Sequence, residues 1–310
     1  MTIVVAGSTG LVGSAIVRHF ESKGFQTVGI NRSVVDLFDK KATSDFILKT
    51  KPTVIIDAAA RVGGIAANDQ QPVEFLTDNL LIQNNLMEAG HKAAVPKFVF
   101  LGSSCIYPRD AVQPIKEEYL MSGPLEKTNS AYAIAKIAGI ELINSYRKEF
   151  GHNWISLMPT NLYGPHDNFD LKSSHVLPAL IRKFVEATHE NQSSVTLWGS
   201  GNPRREFLHV DDLAAAIEIS LEYYDSELHM NVGTGEDLTI KELAAVISEL
   251  TGFKGEILWD TSKSDGTPRK VLDVTRVQKL GWAPKISLRD GIQSTIDWYQ
   301  ENSESGLVRK

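Results

Sequence analysis

Tyr132 and Lys136 are the residues of this chain whose types and spacing most directly suggest chemistry. They are four positions apart, so on a helix both side chains lie on one face. A nearby ammonium favours phenolate, so Lys136 is expected to lower the pKa of Tyr132 from about 10 toward working pH. A tyrosine tuned in this way can protonate a carbonyl that is being reduced. As a bare motif, however, Y-x-x-x-K is usually an exposed pair.

Two further groups could move protons. Cys105 closes the polar segment Gly102-Ser103-Ser104-Cys105, and a cysteine thiolate is able to act as a base. Without further context, a lone cysteine is more often a small buried core residue. His175 follows a polar loop and precedes a helical pattern, and its reference pKa near 6.5 suits an acid. A surface or capping histidine is the alternative.

Three glycines, Gly7, Gly10 and Gly13, follow the apolar run Ile3–Ala6. Glycine permits a positive φ and lets the backbone approach a pyrophosphate, and the helix that begins after them offers free N–H groups to that anion. The spacing is G-x-x-G-x-x-G, and a tight turn without a ligand is the alternative. We therefore expect a nucleotide to bind here through its phosphates.

The residues after the second apolar run indicate which nucleotide. NAD enzymes place a carboxylate there to bind the ribose 2′-hydroxyl. This chain has Asn31-Arg32-Ser33, and arginine can bind a 2′-phosphate that a carboxylate would repel. The expected cofactor is NADP(H), with a solvated surface charge as the alternative role for Arg32.

Short apolar runs alternate with helical patterns through the first half of the chain, which predicts a doubly wound parallel sheet, the Rossmann α/β architecture. The predicted strands are Ile3–Ala6, Thr27–Ile30, Val54–Ala58, Phe98–Leu101 and Trp154–Met158. The predicted helices include Phe75–Ala89, Ala131–Phe150, His175–Thr188, Asp211–Tyr224, Ile240–Thr251 and Leu288–Glu301.

The pattern becomes irregular after Pro159, and loops rich in Gly, Pro and Asn suggest binding segments. We expect residues 1–160 to form an NADP-binding Rossmann domain, with 207–224 returning to it. Residues 161–206 and 225–310 are expected to form a smaller C-terminal lobe that binds the substrate.

Composition excludes several classes of protein. The chain has 310 residues, 42% of them hydrophobic, and its net charge of -6 argues against nucleic acid as a partner. A single cysteine excludes an internal disulfide and fits a reducing cytosol. No signal peptide, membrane span or metal site is expected.

The glycine spacing, the Ser-rich turn and the Tyr/Lys pair together resemble the extended short-chain dehydrogenase/reductase family, as does the segment 205–212, Arg-Glu-Phe-Leu-His-Val-Asp-Asp. The resemblance covers nearly the whole chain. It implies a catalytic triad of Ser103, Tyr132 and Lys136, with Ser103 four residues before Tyr107. It also implies a homodimer formed through a four-helix bundle, to which the helices around 75–89 and 131–150 would contribute.

Within that family the chain resembles the GDP-L-fucose synthases. The segments that carry this similarity are Arg61–Ile65, Gly102–Pro108, Met158–Phe169, Ser174–Val176 and Asp265–Lys270. The similarity implies NADPH-dependent 3,5-epimerisation and 4-reduction of GDP-4-keto-6-deoxy-D-mannose. Cys105 and His175 would exchange the ring protons, Ser103 and Tyr132 would polarise the 4-keto oxygen, and Lys136 would orient the nicotinamide ribose.

The same resemblance implies two sets of binding residues. The cofactor would contact Gly7, Ser8, Thr9, Gly10, Leu11, Val12, Gly13, Asn31, Arg32, Leu101, Gly102, Ser103, Ser104, Lys136, Pro159, Thr160, Asn161, Leu162 and His175. The nucleotide sugar would contact Lys183, Trp198, Arg205 and Asp265. The chain departs from the family at Lys183, commonly Arg, and at Ser8-Thr9, often His-Arg, so it loses a bidentate fork and one basic contact.

Two other functions are compatible with parts of this pattern. One is another nucleotide-sugar 4-epimerase or reductase, for instance on a UDP sugar, against which Cys105 and His175 argue. The other is a non-catalytic NADP-sensing protein of the same fold, against which the complete Ser103, Tyr132 and Lys136 set argues.

Overall fold

A parallel sheet of six strands is the framework of the chain in this computed structural model, which describes residues 1–263, 265–306 and 308–309. Its spatial order is β2-β1-β3-β4-β5-β10. The strands are β1 (Thr2–Ala6), β2 (Gln26–Ile30), β3 (Val54–Asp57), β4 (Lys97–Leu101), β5 (Asn153–Pro159), β6 (Asn161–Tyr163), β7 (Ser194–Trp198), β8 (Arg204–Arg205), β9 (Phe207–His209), β10 (Met230–Val232), β11 (Leu238–Thr239), β12 (Glu256–Asp260) and β13 (Arg269–Lys270).

The central strands form because their side chains are apolar on both faces. Ile3 to Ala6 and Val54 to Ile56 are all buried, as parallel strands covered by helices must be. The chain passes from β1 outward to β2 and then crosses to β3 on the other side of β1. The strand order therefore reverses between β1 and β3, where open α/β sheets bind their ligands.

Helices cover both faces of this sheet. Helix α1 packs against α7 on one side, whereas α4 lies between α2 and α5 on the other. The helices are α1 (Leu11–Ser22), α2 (Lys40–Thr50), α3 (Ile65–Gln70), α4 (Pro72–Lys92), α5 (Ser130–Phe150), α6 (Val176–His189), α7 (Val210–Tyr223), α8 (Ile240–Thr251), α9 (Thr275–Gln278) and α10 (Leu288–Asn302). Short 3₁₀ turns occur at Ser104–Ile106, Glu117–Tyr119 and Lys127–Asn129.

A second apolar core lies outside the large sheet. It joins α6, α8 and α10 through buried residues such as Phe184, Ile247 and Ile296. The parallel pair β7 and β12 belongs to the same core, while β8 pairs with β11 and β13. None of the helices in the described ranges is long and apolar enough to cross a membrane.

The doubly wound architecture predicted from the sequence is confirmed, and each of the five predicted strands is present within a residue or two of its expected bounds. The remaining strand of the large sheet, β10 (Met230–Val232), was not predicted. It is three residues long, and it is placed in the sheet by pairing with β5. The division of the chain into a cofactor domain and a substrate lobe stays a prediction.

Helices α4 and α5 each carry a glycine that faces the sheet, and the two glycines differ in the space around them. A Cβ at Gly139 would lie 2.2 Å from the Phe100 ring, whereas one at Gly90 would lie 3.4 Å from Ile55, an ordinary contact. Helix α5 therefore depends on a missing side chain for its closest approach, and α4 does not.

We expect Gly139→Ala to destabilise the protein by about 1–3 kcal/mol, the usual cost of overpacking a core. Gly90→Ala, the matched control, should be neutral or should raise stability by up to about 1 kcal/mol through helix propensity. Thermal unfolding followed by circular dichroism measures both. Equal unfolding midpoints for the two variants would contradict this account of the α5 contact.

Candidate functional site

The glycine turn after β1 closes against the end of β3. Gly7 has a φ of +76°, and a Cβ there would lie 2.7 Å from the Ala58 carbonyl oxygen. A Cβ at Gly13 would lie 2.1 Å from the Gly7 oxygen. Gly10 begins α1 without a side-chain cap, so the first-turn N–H groups are available to an outside anion. The turn therefore offers the close backbone approach and the free N–H donors that binding of a phosphate group requires.

The turn after β2 lies beside the glycine turn. The Ser8 backbone N–H and hydroxyl both donate to the Ile30 carbonyl, at 3.0 and 3.2 Å. Asn31 accepts from the backbone and hydroxyl of Ser33, which shapes the turn and leaves Arg32 exposed. The structure thus brings Ser8, Asn31 and Arg32 together, three of the residues predicted to contact the cofactor. Thr9, Leu11 and Val12 lie on the glycine turn and the first turn of α1.

The strand β4 ends in the predicted hydroxyl turn. Ser103 caps the 3₁₀ turn Ser104–Ile106, and its oxygen accepts from the Cys105 N–H at 3.3 Å. The Ser103 hydroxyl also lies within hydrogen-bonding reach of the Tyr132 phenol, and this interaction lowers the Tyr132 pKa. Cys105 is half-buried and close enough to Tyr132 for their charges to interact.

Lys136 is buried one helical turn after Tyr132, with 3% of its surface exposed. Its ammonium donates to the Leu101 carbonyl at 2.9 Å and lies 4.8 Å from the centre of the Phe100 ring. Burial lowers the pKa of Lys136, and the carboxylate of Asp57 raises it. Helix α5 therefore presents Tyr132 and Lys136 on one face, as their spacing predicted.

The predicted lowering of the Tyr132 pKa is wrong. Burial raises the pKa of Tyr132 well above its ordinary value, and the negative charges of Cys105 and Asp57 raise it further. The ammonium of Lys136 is directed to a backbone carbonyl and lies 5.9 Å from the centre of the Tyr132 ring. Tyr132 is therefore held as a neutral phenol, which can donate a proton.

Sequence reasoning missed Asp57, a buried carboxylate at the end of β3. Only 1% of its surface is exposed, and burial raises its pKa to about 6, while Lys136 opposes the rise. One oxygen accepts from the Ala59 N–H at 3.2 Å, and the other has no hydrogen-bond partner. The sequence did contain a signal for this residue, because an aspartate directly after an apolar run lies at the end of a buried strand.

His175 is the N-cap of α6 and is exposed to solvent, while the surrounding protein lowers the pKa of its imidazole by desolvation. The segment before it rests on a glycine pair. Gly64 donates its N–H to the Ser173 carbonyl at 2.9 Å, and a Cβ on Gly64 would lie 2.7 Å from the Ser174 oxygen. The predicted segment around Gly64 thus positions the loop that carries His175.

The residues after β5 join the cofactor side to the smaller core through Glu206, which sequence reasoning also missed. Thr160 donates its N–H to the Val232 carbonyl at 3.0 Å, and the Asn161 amide donates to the Glu206 carbonyl at 2.8 Å. Glu206 is fully buried, and its carboxylate accepts from the N–H groups of Gly235 and Leu272, both at 2.8 Å. Pro159 ends β5, and Leu162 lies in β6.

The predicted substrate residues are spread over two neighbouring regions. Arg205 lies close enough to Cys105 and Asp265 for both negative charges to raise its pKa, which burial lowers. Asp265 accepts from the backbone and hydroxyl of Ser200 at 2.9 and 2.6 Å. Lys183 donates to the Thr196 carbonyl at 2.9 Å, and the Trp198 side chain is 63% exposed, beside Lys263.

Tyr107, the partner of Ser103 in the family motif, is a structural residue here. It is 2% exposed, and its hydroxyl donates to the Asn231 amide oxygen at 2.5 Å. Its contact therefore ties the hydroxyl turn to β10. No three His, Cys, Asp or Glu side chains in the described part of the chain gather as a metal site.

The chain is similar to proteins of known activity along almost its whole length. Residues 3–233 match the NAD dependent epimerase/dehydratase family. The GDP-L-fucose synthase of Escherichia coli (strain K12) is 50% identical over 97% of both chains. The probable GDP-L-fucose synthase 1 of Oryza sativa subsp. japonica is 51% identical over 97% of this chain and 92% of its own.

A solved structure agrees with this. The GDP-L-fucose synthetase of Naegleria fowleri bound to NADP superposes with a TM-score of 0.91 at 31% identity. The match covers 100% of this chain and 96% of that one.

Proposed function

Because this chain belongs to the NAD dependent epimerase/dehydratase family, we propose that it performs the reaction of its GDP-L-fucose synthase relatives. The reaction is NADPH-dependent 3,5-epimerisation and 4-reduction of GDP-4-keto-6-deoxy-D-mannose to GDP-L-fucose. The observation that carries the residue roles is the grouping of Ser103, Cys105 and Tyr132 at the end of β4. A ketone held there meets two hydroxyl groups and a thiol.

Ser103 and Tyr132 polarise the 4-keto oxygen by donating hydrogen bonds to it. Polarisation makes the hydrogens on both neighbouring carbons more acidic and makes C-4 a better hydride acceptor. Because burial keeps Tyr132 protonated, its phenol can also give its proton to the C-4 oxygen as charge develops. One polarised ketone therefore serves both the epimerisation and the reduction.

Cys105 removes ring protons as a thiolate, and His175 returns protons on the opposite face. The guanidinium of Arg205 interacts with Cys105, so positive charge lies next to the thiolate that must form. The loop that carries His175 rests on Gly64, which places an acid on a different element from the base. Base and acid on separate elements are what inversion of a carbon centre requires.

The residues of the glycine turn fit NADP(H). The uncapped start of α1 suits the pyrophosphate, and Arg32 in the turn after β2 suits the 2′-phosphate. When bound, NADPH supplies the hydride for C-4. Lys136 would orient the nicotinamide ribose, and Thr160 and Asn161 would line the cofactor site after β5.

The guanosine diphosphate part of the substrate would contact four residues, Lys183, Trp198, Arg205 and Asp265. Arg205 offers two donors to a phosphate, and Trp198 offers an exposed indole face. Asp265 is held beside Arg205 by Ser200. Lys183 supplies charge without the bidentate geometry of arginine.

We also place the protein in the cytosol as a homodimer. A catalytic thiol is kept reduced in that compartment. Helices α4 and α5 leave large apolar side chains exposed, among them Leu81 and Ile134 at 47% and 49%. Two copies that pair these helices would form a four-helix bundle and cover those side chains.

Two single-atom substitutions test the catalytic proposal. In Tyr132→Phe, the rate of NADPH consumption should fall by orders of magnitude, while the variant still exchanges ring protons with deuterated solvent.

In Cys105→Ser, that exchange should be slower by about 10²–10⁴-fold, the usual contribution of a general base. Mass spectrometry of the sugar and absorbance at 340 nm measure the two steps. Undiminished deuterium incorporation in Cys105→Ser would remove that residue as the base, and equal loss of both steps in Tyr132→Phe would mean that the phenol also supports the enolate.

Arg32→Asp tests the choice of cofactor. Replacing attraction to the 2′-phosphate by repulsion should weaken NADPH binding and favour NADH relative to wild type. Fluorescence titration with each cofactor measures this. Arg18→Asp, which changes an exposed arginine on α1 rather than in the turn after β2, is the control and should leave the NADPH/NADH ratio near wild type. An unchanged ratio in Arg32→Asp would make Arg32 a bystander.

Leu81→Glu tests the dimer. A charge in the centre of a buried helical interface is costly, so the variant should be monomeric by sedimentation equilibrium while the wild type is dimeric. Val112→Glu changes an exposed apolar residue outside α4 and α5 and should stay dimeric. A monomeric wild type would refute the proposal.

A further inference from the structure

We infer that Asp57 is a positioning residue whose carboxylate keeps Lys136 positively charged beneath the reacting groups. The inference rests on the proposed function, in which Lys136 orients the cofactor ribose. Asp57 itself would touch neither cofactor nor substrate, and it acts only through Lys136.

The strand register places the two groups in one layer. Asp57 pairs with Ala6 on β1 and with Phe100 on β4. Paired residues of neighbouring strands project to the same face of a sheet. Phe100 projects toward α5, where it contacts Gly139 and lies under the Lys136 ammonium. The Asp57 carboxylate therefore lies in the same layer between the sheet and α5.

Each group lacks enough polar partners to be charged alone. The Asp57 carboxylate has one hydrogen bond, from the Ala59 N–H, and its second oxygen is buried without a partner. Lys136 can donate three hydrogen bonds, and the one to Leu101 is the one that the structure records. A buried charge is costly unless an opposite charge is near. Asp57 and Lys136 supply that opposite charge to each other.

The other elements around this pair add few charges. Helix α5 adds Tyr132, and the turn after β4 adds Cys105. Helix α4 presents neutral Gln83, whose amide donates to the Ala135 carbonyl. The guanidinium of Arg61, in the segment after β3, donates to Asp78 and Gln71. Asp57 is the anion to which the pKa of Lys136 responds.

The direction of the pH effect follows from these charges. Burial raises the pKa of Asp57 to about 6, so the carboxyl is neutral below that pH and charged above it. Once charged, it raises the pKa of Lys136, which burial alone would lower further. Removing the carboxylate should therefore let Lys136 lose its proton at a lower pH.

The direct test is the titration of Lys136 in Asp57→Asn, followed by NMR of protein labelled with ¹³C at lysine Cε. The resonance is assigned by its loss in Lys136→Arg. The Lys136 midpoint should fall by about one pH unit relative to wild type, since one nearby opposite charge is removed. Asp167→Asn is the matched control, because Asp167 is also a buried aspartate with an unpartnered oxygen. It should leave the Lys136 midpoint unchanged, and an unchanged midpoint in Asp57→Asn would overturn the inference.

The pH dependence of the rate of NADPH consumption is a second, functional measurement of the same effect. The alkaline limb of the Asp57→Asn profile should move to lower pH by the same amount, whereas that of Asp167→Asn should not move. A wild type that consumes no NADPH would refute the proposed function, and the NMR titration would still decide the role of Asp57. If Asp57→Asn does not fold, the wild-type Lys136 resonance decides: an inflection near pH 6 supports the pairing, and its absence overturns it.

Discussion

The parallel pairing of β1, β3 and β4 is the constraint on which the candidate site depends. Because the strands run the same way, their carboxyl ends meet at one edge, and Ala6, Asp57 and Phe100 stand side by side there. The glycine turn follows β1, the buried carboxylate of Asp57 ends β3, and the hydroxyl turn follows β4. The apolar strand interiors keep the edge in place, since a register slip would turn every buried side chain to the other face.

Helix α5 converts this edge into a catalytic surface. Its missing side chain at Gly139 lets it approach Phe100, and that approach brings the Lys136 ammonium to the Leu101 carbonyl. The same burial that stabilises the packing removes water from Lys136 and Tyr132, which lowers the pKa of the first and raises that of the second. Packing and acid–base chemistry therefore arise from one contact between a helix and a sheet.

The smaller core is attached to this surface at two places. The backbone carbonyl of Glu206 accepts a hydrogen bond from Asn161, and its carboxylate accepts from the N–H groups of Gly235 and Leu272. The strand that carries Arg205 is therefore held against the end of β5. The contact of Gly64 with the Ser173–Ser174 backbone holds the start of α6 against the segment after β3. Both attachments place substrate-side residues next to the cofactor side.

Periodicity and spacing over a few residues were enough to predict the alternating strands and helices of the first half, the glycine turn and the placement of Tyr132 and Lys136 on one helix face. They did not determine the direction of the Tyr132 pKa, the role of Asp57 or the position of β10. Those depend on which groups lose water and which distant strands become neighbours. Desolvation and long-range pairing exist only in the folded chain, and they are the reason that Tyr132 stays protonated and that Asp57 lies in the same layer as Lys136.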